Sequence, residues 1–184
     1  MEHGYAATSI DTVAEVLGAT KGRIYYYFRT KADLFFELHR EAMRLNLDTI
    51  EPIAASGGDV KDRLRRMLHA QADLVMTHLA LQKVAIQGVE LHLTGRTTPK
   101  QRETLTELIA MRDRFERCFV DVLREGIEDR SFRDSDPEMV VKPLLGAINW
   151  MTFWYRPRAS ETQQLRQKIA SEAVTLLIEG ISRT

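Results

Sequence analysis

Apolar residues recur with helical spacing along almost the whole chain, and no segment alternates for long with the two-residue period of a strand. Proline and glycine are sparse and separate the periodic segments from one another. The pattern predicts an all-α protein with helices at residues 9–17, 21–28, 31–49, 60–78, 81–93, 100–129, 137–155 and 161–182. Because the first helices are short and the later ones long, we expect a small N-terminal domain, residues 1–46, and a larger helical domain, residues 47–184.

Polar residues at three helix starts have the chemistry of N-caps, whose side-chain oxygens accept hydrogen bonds from the first free backbone N–H groups. Thr30 opens a segment that reads as an N-cap and a first turn. Asp136 is followed by Pro137, which suits the first helical position. Ser160 is predicted to cap the last helix, with Glu161 placed where the helix dipole favours an anion.

The first two predicted helices have the features of a helix-turn-helix. The apolar residues of the first helix share one face, at the spacing i, i+3, i+4, i+7: Ile10, Val13, Ala14 and Leu17. Gly18 supplies the residue with which helices commonly end. The second helix begins three residues later, with Ile24 and Phe28 predicted to face inward. Two short helices joined by such a turn predict a DNA-binding unit.

The second helix carries basic and aromatic side chains on the face opposite to its inward residues. Gly22 and Tyr26 point away from the predicted core, and Arg23 lies on a flank of this outward face. In a major groove, Arg23 can pair with guanine O6 and N7, while Gly22 allows the backbone to approach the DNA. Lys21 stands at the helix N-terminus, where backbone N–H groups favour phosphate. This face is therefore predicted to read DNA.

The motifs GY-x-A-T-S, A-E-x-L-G, T-K-G-x-I-Y-Y-x-F and T-K-A-D-L-F follow one another within residues 4–38. With them, the segment resembles the DNA-binding segment of the tetracycline repressor (TetR) family. The resemblance implies a homodimeric transcriptional regulator, a repressor that binds a palindromic double-stranded DNA operator. A small-molecule effector in its C-terminal helices would shift the helix at 31–49 and release the DNA. By position, the implied DNA contacts are Thr8, Ser9, Lys21, Gly22, Arg23, Tyr25, Tyr26 and Lys31.

The segment departs from the family pattern in two places. Tyr27 stands where many members have histidine. Members also have a further helix before the GY motif. In this sequence only Met1, Glu2 and His3 precede that motif. We therefore expect that Met1 is an internal methionine of a longer chain, and that the apolar face of the first helix here lacks part of its cover.

The helix predicted at 137–155 is apolar almost all round and must be covered on most sides. The phrase NWMTFWYRP, residues 149–157, is similar to a TetR subset with N-W followed by W-Y-R-P. Members of that subset respond to acyl-CoA or related thioesters, which implies an acyl-CoA-like or other hydrophobic effector. The candidate effector-binding residues are Met67, Gln71, Leu74, Gln87, Glu90, Arg112, Phe115, Phe119, Asn149, Trp150 and Phe153, with Ala70 and Ile86 beside them. Methionine and aromatic residues at helical spacing are more often core than pocket, so that alternative stays open.

The last predicted helix carries an apolar stripe at coiled-coil spacing, formed by Leu165, Ile169, Ala173, Leu176 and Gly180. Two helices from each subunit, this one and the helix at 137–155, would form a four-helix interface, the dimerisation mode that the family implies.

Charge and composition exclude several other classes of protein. The net charge is zero, so the basic cluster is a local feature and the chain is not a general polyanion binder. The single Cys118 excludes an internal disulfide and is typical of a cytoplasmic protein. The longest uncharged run, residues 143–155, has 13 residues, whereas a membrane-spanning helix needs about 20.

The sequence has none of the motifs that would indicate catalysis. No histidine has a glutamate three positions before it, and the sequence contains no H-E-x-x-H, Walker A, G-x-G-x-x-G or G-x-S-x-G motif. We therefore expect a protein that is not an enzyme and that uses no cofactor and no metal. The alternative is a helical-bundle scaffold or an enzyme without sequence-specific DNA binding.

Overall fold

The structure, a computed structural model, describes residues 22, 26, 28, 30–83, 85–86, 98–158 and 160–183. Six helices have defined bounds: α1 (Lys31–Ala54), α2 (Val60–Thr77), α3 (Pro99–Glu128), α4 (Pro137–Asn149), α5 (Met151–Trp154) and α6 (Gln163–Ile181). Residues 79–83 and 85–86 are also helical. Because the described chain has helices and a single isolated β-bridge, the prediction of an all-α fold is confirmed. The predicted helix at 9–17 lies outside the described residues.

Two of the predicted N-caps are present. The Oγ1 of Thr30 accepts a hydrogen bond from the backbone N–H of Asp33 at 3.1 Å, and the Thr30 N–H donates to the Asp33 carboxylate at 3.1 Å. This reciprocal pair is a capping box, which satisfies two of the N–H groups that a helix start leaves free. At the start of α4, the Asp136 carboxylate accepts from the Glu138 N–H at 2.9 Å. Both helices therefore begin where their local sequence predicts.

The third predicted cap is wrong, because α6 begins after Thr162 and not after Ser160. The Thr162 Oγ1 accepts a hydrogen bond from the Leu165 N–H at 3.3 Å. Glu161 instead closes a turn, with its N–H donating to Arg158 O at 2.9 Å and its carboxylate accepting the hydroxyl proton of Tyr155. Contacts with the preceding turn thus hold Glu161 outside the helix.

Two helix ends also differ from the predicted ones. Helix α1 continues past residue 49 to Ala54 and includes Pro52 in its last turn. A proline there removes one intrahelical hydrogen bond, and the Ala55 N–H still reaches Glu51 O at 2.9 Å. The predicted helix 137–155 is divided at Trp150 into α4 and α5.

The chain forms two compact units, each built from two segments. The first contains residues 1–44 and 80–111, and the second contains residues 45–79 and 112–184. The predicted domain ranges, 1–46 and 47–184, differ from these units because residues 80–111 pack with the N-terminal segment. In the first unit, the buried side chains of Phe36, Leu105 and Leu108 form a cluster that Ala32 and Met111 cover.

An ion pair lies beside this cluster in the first unit. Arg40 donates from Nε and Nη2 to the two carboxylate oxygens of Glu107, each at 3.0 Å. The paired geometry is the strong, bidentate form of an arginine–carboxylate contact. The hydrogen bond with Glu107 raises the pKa of Arg40, and the same bond lowers the pKa of Glu107. The pair therefore ties the first half of α1 to the first half of α3.

In the second unit, α2 is the central helix and packs against α4, α5 and α6. Its fully buried residues include Leu64, Met67, Leu68 and Val75. Helix α6 meets α2 through a face of small and β-branched residues one turn apart, namely Ala170, Val174 and Ile178. This spacing of four residues is what keeps one helix face turned inward.

The end of α6 is attached to the turn that follows α3. Phe132 and Ser182 form an isolated antiparallel bridge, flanked by hydrogen bonds from Arg133 N to Ile181 O at 2.9 Å and from Arg183 N to Ser131 O at 3.2 Å. We call residues 131–133 and 181–183 the C-terminal clasp. The Phe132 ring beneath it is 2% exposed and lies against Gly126 of α3. The clasp therefore fixes the position of α6 at its far end.

Candidate nucleic-acid interface and effector site

Gly22 and Tyr26 are the described residues of the predicted DNA-reading helix. Both are helical and exposed, and they lie four residues apart, so they share one face. Tyr26 is 83% exposed, as expected for a side chain that contacts DNA instead of the core. Phe28, predicted to face inward, is half-buried. The other predicted contacts in this region, Thr8, Ser9, Lys21, Arg23 and Tyr25, lie outside the described residues, and Lys31 is the first residue of α1.

Packing within the described chain does not explain why residue 22 is glycine. A Cβ atom added there would have no heavy atom within 4 Å. Glycine is a poorer helix former than alanine, so a glycine at this open position is not explained by helix formation. Close approach of an external surface is a physical reason for such a choice.

The predicted effector residues of the second unit fall into two groups. Met67, Gln71, Leu74, Phe115 and Phe119 are buried, and the rings of Phe115 and Phe119 pack edge to face at 5.3 Å. Gln71 Nε2 donates a hydrogen bond to Asn149 Oδ1 at 3.2 Å, so the structure brings these two predicted residues together. This group therefore combines large buried apolar side chains with one polar pair.

The other group does not join these buried residues. Arg112, Trp150 and Phe153 are exposed, with Trp150 at 59%, and the Trp150 and Phe153 rings stack on each other at 4.4 Å. Helix α4 buries Ile148, and a residue two positions later points to almost the opposite side of a helix. This side of the helix is therefore uncovered within one chain, and its cover by a partner subunit stays a prediction. Gln87 and Glu90 lie outside the described residues.

A polar cleft between α2 and α6 was not predicted from the sequence. It has a volume of about 240 Å³ and is lined by His69, Ala70, Asp73, Gln163, Gln167 and Ala170. Burial, and then the charge of Arg65, lowers the pKa of His69, so its imidazole is neutral at pH 7. The sequence does show polar residues four positions apart on each of the two helices. Only the packing of α2 against α6 brings these residues together.

The predicted dimer residues lie on the side of α6 that faces away from α2. Leu165, Leu176 and Gly180 are exposed, with Leu176 at 73%, whereas Ile169 and Ala173 are half-buried. On α4 and α5, Met139 and Trp154 are also exposed. The described chain therefore has an uncovered apolar surface on the two helices that were predicted to form the interface.

Comparison with known proteins identifies the family. Residues 57–181 match the family model "Tetracyclin repressor-like, C-terminal domain", and residues 1–38 match the model "Bacterial regulatory proteins, tetR family". The chain belongs to the TetR family. The predicted resemblance is confirmed, and so is the prediction of a transcriptional regulator that is not an enzyme.

Several TetR-family proteins are similar over most of this chain. The HTH-type transcriptional repressor KstR2 of Rhodococcus jostii is 27% identical over 184 residues, which cover 98% of this chain and 84% of that protein. KstR2 of Mycobacterium tuberculosis is 26% identical over 99% of this chain and 86% of its own. The crystal structure of PfmR from Thermus thermophilus has a TM-score of 0.77 at 27% identity, covering 97% of this chain and 92% of that chain.

More distant structures share the fold. AibR, solved in complex with isovaleryl coenzyme A and operator DNA, has a TM-score of 0.73 at 21% identity and covers 95% of this chain and 89% of its own. At this level of identity the likeness shows the fold alone. Of the helices in the described part of the chain, none is both long and apolar enough to cross a membrane.

Proposed function

We propose that this TetR-family protein is a repressor that binds a palindromic operator as a homodimer and leaves it when a small hydrophobic or acyl-CoA-like effector binds. The exposed Gly22–Tyr26 face is the observation that carries the DNA-binding part. The similarity to KstR2 repressors supports the sign of regulation. AibR, which was solved with an acyl-CoA and operator DNA, supports the class of effector.

The proposed DNA-reading surface consists of Gly22 and Tyr26 on one helix face, together with Arg23, which follows Gly22 in the sequence. Gly22 lets the helix backbone approach the base edges, and the Tyr26 hydroxyl donates to a phosphate oxygen. Arg23 reads guanine in the major groove. Lys31, at the start of α1, contacts a phosphate where the capped helix N-terminus already favours an anion.

The dimer forms through the outward faces of α4 and α6. Large apolar side chains such as Met139, Trp150 and Leu176 are uncovered there, and an exposed apolar surface of this kind is typical of an interface. Exposed Gly180 near the end of α6 allows close approach of a partner helix. The same surface on both subunits would make a two-fold interface, which matches a palindromic operator.

The effector occupies the second unit next to the buried group on α2 and α3. Met67, Phe115 and Phe119 supply an apolar lining, and the Gln71–Asn149 pair supplies polar atoms. An acyl chain or a similar apolar body suits this chemistry.

Gly22→Ala tests the DNA-binding proposal because it should affect binding without harming the fold. The variant should be at least as stable as the wild type, since the added methyl group meets open space. It should bind an operator selected from random duplexes about tenfold or more weakly, since that methyl group holds the helix away from the bases. Gly57→Ala, also in open space but in the loop between α1 and α2, is the control and should leave operator affinity unchanged.

Equal operator affinity of Gly22→Ala and the wild type would refute the assignment of this face to DNA.

Variants of Arg23 and Lys31 distinguish contacts with bases from contacts with phosphates. Arg23→Ala should cost roughly 1–3 kcal/mol and relax specificity at one base position. Lys31→Ala should weaken binding to all sequences alike and reduce the salt slope by about one unit. A scaffold or an enzyme would instead enrich no preferred duplex.

A further inference from the structure

The side-chain amide of Gln71 uses its Nε2 in a hydrogen bond, whereas its Oε1 is buried without one. The side chain is on α2, the residue is 1% exposed, and Nε2 donates to Asn149 Oδ1 at 3.2 Å. Its Oε1 is fully buried and accepts a hydrogen bond from no residue in the described chain. Buried acceptors without a donor are rare in folded proteins, because they lose water and gain nothing in return. This atom therefore calls for an explanation.

Packing of α2 does not require an amide at this position. Met67 lies one turn before Gln71, and Leu74 and Val75 lie one turn after it, all of them buried. A methionine or a leucine at residue 71 would continue this apolar face and leave no unsatisfied atom. Asn149 is half-buried, so it is less enclosed than Gln71. The amide thus lowers the stability of the free protein and serves something other than the core.

We propose that the Gln71 amide binds a hydroxyl group carried by the apolar part of the effector. This inference rests on the proposed function, since it concerns the effector of the same site. With the Nε2 of Gln71 bonded to Asn149, the buried Oε1 needs a hydrogen-bond donor. If both amides turned over, the same position would instead present an N–H group and need an acceptor. A hydroxyl group satisfies either arrangement because it both donates and accepts.

An effector group bound here is placed to affect the junction between α4 and α5. Asn149 is the last residue of α4, and its carbonyl accepts a hydrogen bond from Thr152 Oγ1 of α5 at 2.7 Å. The Gln71–Asn149 bond therefore connects α2 to the junction that carries exposed Trp150. A hydroxyl that bonds to Gln71 fixes the orientation of this amide pair and stiffens the junction.

The binding test compares acyl chains that differ by one hydroxyl group. Dodecanoyl-CoA and a series of hydroxydodecanoyl-CoA isomers, with the hydroxyl moved along the chain, are titrated into the protein by calorimetry. At least one isomer should bind about tenfold more tightly than dodecanoyl-CoA, as one buried hydrogen bond to an otherwise unsatisfied atom allows. Gln71→Met should remove this advantage, so that within the variant the hydroxylated and the unsubstituted chains bind equally tightly.

Two results would overturn the inference while leaving the proposed effector class intact. One is that no isomer binds more tightly than the unsubstituted chain, and the other is that the advantage survives in Gln71→Met. If no CoA ester binds the wild-type protein at all, the acyl-effector proposal fails, and the inference fails with it. The three results are distinguishable in one set of titrations.

A stability measurement on ligand-free protein examines the same atom without any probe molecule. Gln71→Met should raise the thermal unfolding midpoint by about 2–4 °C, because it removes a buried unsatisfied acceptor. Gln164→Met, on the exposed surface of α6, is the control and should shift the midpoint by less than this. A lower midpoint in Gln71→Met would mean that the amide is structural, which contradicts the inference.

Discussion

Gly126→Ala should destabilise the protein, although alanine is the better helix former. A Cβ atom at residue 126 would lie under 3.0 Å from two ring atoms of Phe132 and 3.2 Å from Val60 Cγ1. The Phe132 ring has little freedom to move away. It is 2% exposed, and its backbone N–H is bonded to Gly126 O at 2.7 Å. The methyl group therefore forces a shift of the ring or of the α3 backbone.

Two opposing contributions determine the size of this effect. Replacing glycine by alanine inside a helix contributes about 0.5–1 kcal/mol of stability. Overpacking a core position costs about 1–3 kcal/mol, and the higher values apply where the neighbour cannot yield. Because the bridge between Phe132 and Ser182 holds the backbone that carries the ring, we expect the clash to dominate. The net loss should be about 1–2 kcal/mol in the free energy of unfolding.

Urea unfolding at a fixed protein concentration measures this difference. Gly57→Ala, where the added methyl group meets nothing within 4 Å, is the control and should be as stable as the wild type or more stable. The double variant Gly126→Ala/Phe132→Leu should lose less than the sum of the two single variants, since a smaller side chain gives the methyl group room. Equal stability of Gly126→Ala and the wild type, or strict additivity in the double variant, would refute the reasoning.

Three further predictions concern single contacts. Thr30→Ala should lower the free energy of unfolding by about 1 kcal/mol because it removes the N-cap of α1, whereas Thr30→Ser should keep the cap. Equal urea midpoints for the alanine and serine variants would contradict the cap. Leu176→Glu should fold normally, since residue 176 is 73% exposed, but sediment as a monomer in ultracentrifugation; a dimer would place the interface elsewhere. The lowered pKa of Glu107 means that its bond with Arg40 stabilises the protein above the ordinary value of 4.5 and that this contribution disappears as the pH falls through the lowered pKa. Glu107→Gln should therefore be less stable at neutral pH by at most about 1 kcal/mol, given the exposure of the pair, with no difference in acid, and a loss independent of pH would contradict this.

Local signals in the sequence were sufficient for most helix positions. The capping box at Thr30 and the Asp136 cap each depend on residues within three positions, so the chain itself carries the information. The failure at Ser160 has the opposite cause. Tyr155 and Arg158 hold Glu161 in a turn, and neither contact can be read from the propensity of the residues that follow. Helix starts are predictable where no side chain of the preceding segment competes for the capping residues.

The candidate effector site was less predictable, because it depends on which side of each helix is covered. Helix α4 is apolar on nearly every side, so its sequence does not distinguish buried Ile148 from exposed Trp150. The Gln71–Asn149 pair joins residues that are 78 positions apart, and no periodicity links them. The polar cleft beside His69 likewise requires α2 and α6 to be neighbours.

The C-terminal clasp has a kinetic consequence for the second unit. Its bridge between Phe132 and Ser182 closes a loop of about 50 residues that contains α4, α5 and α6. Closing so long a loop is unfavourable until α6 has docked on α2, so we expect the clasp to form late in folding. Contacts made after the transition state affect the unfolding rate and leave the folding rate almost unchanged. We therefore expect the clasp to slow unfolding. While it is closed, the amide protons of these three helices should be protected from exchange with solvent. Once it opens, they should exchange together as one cooperative segment.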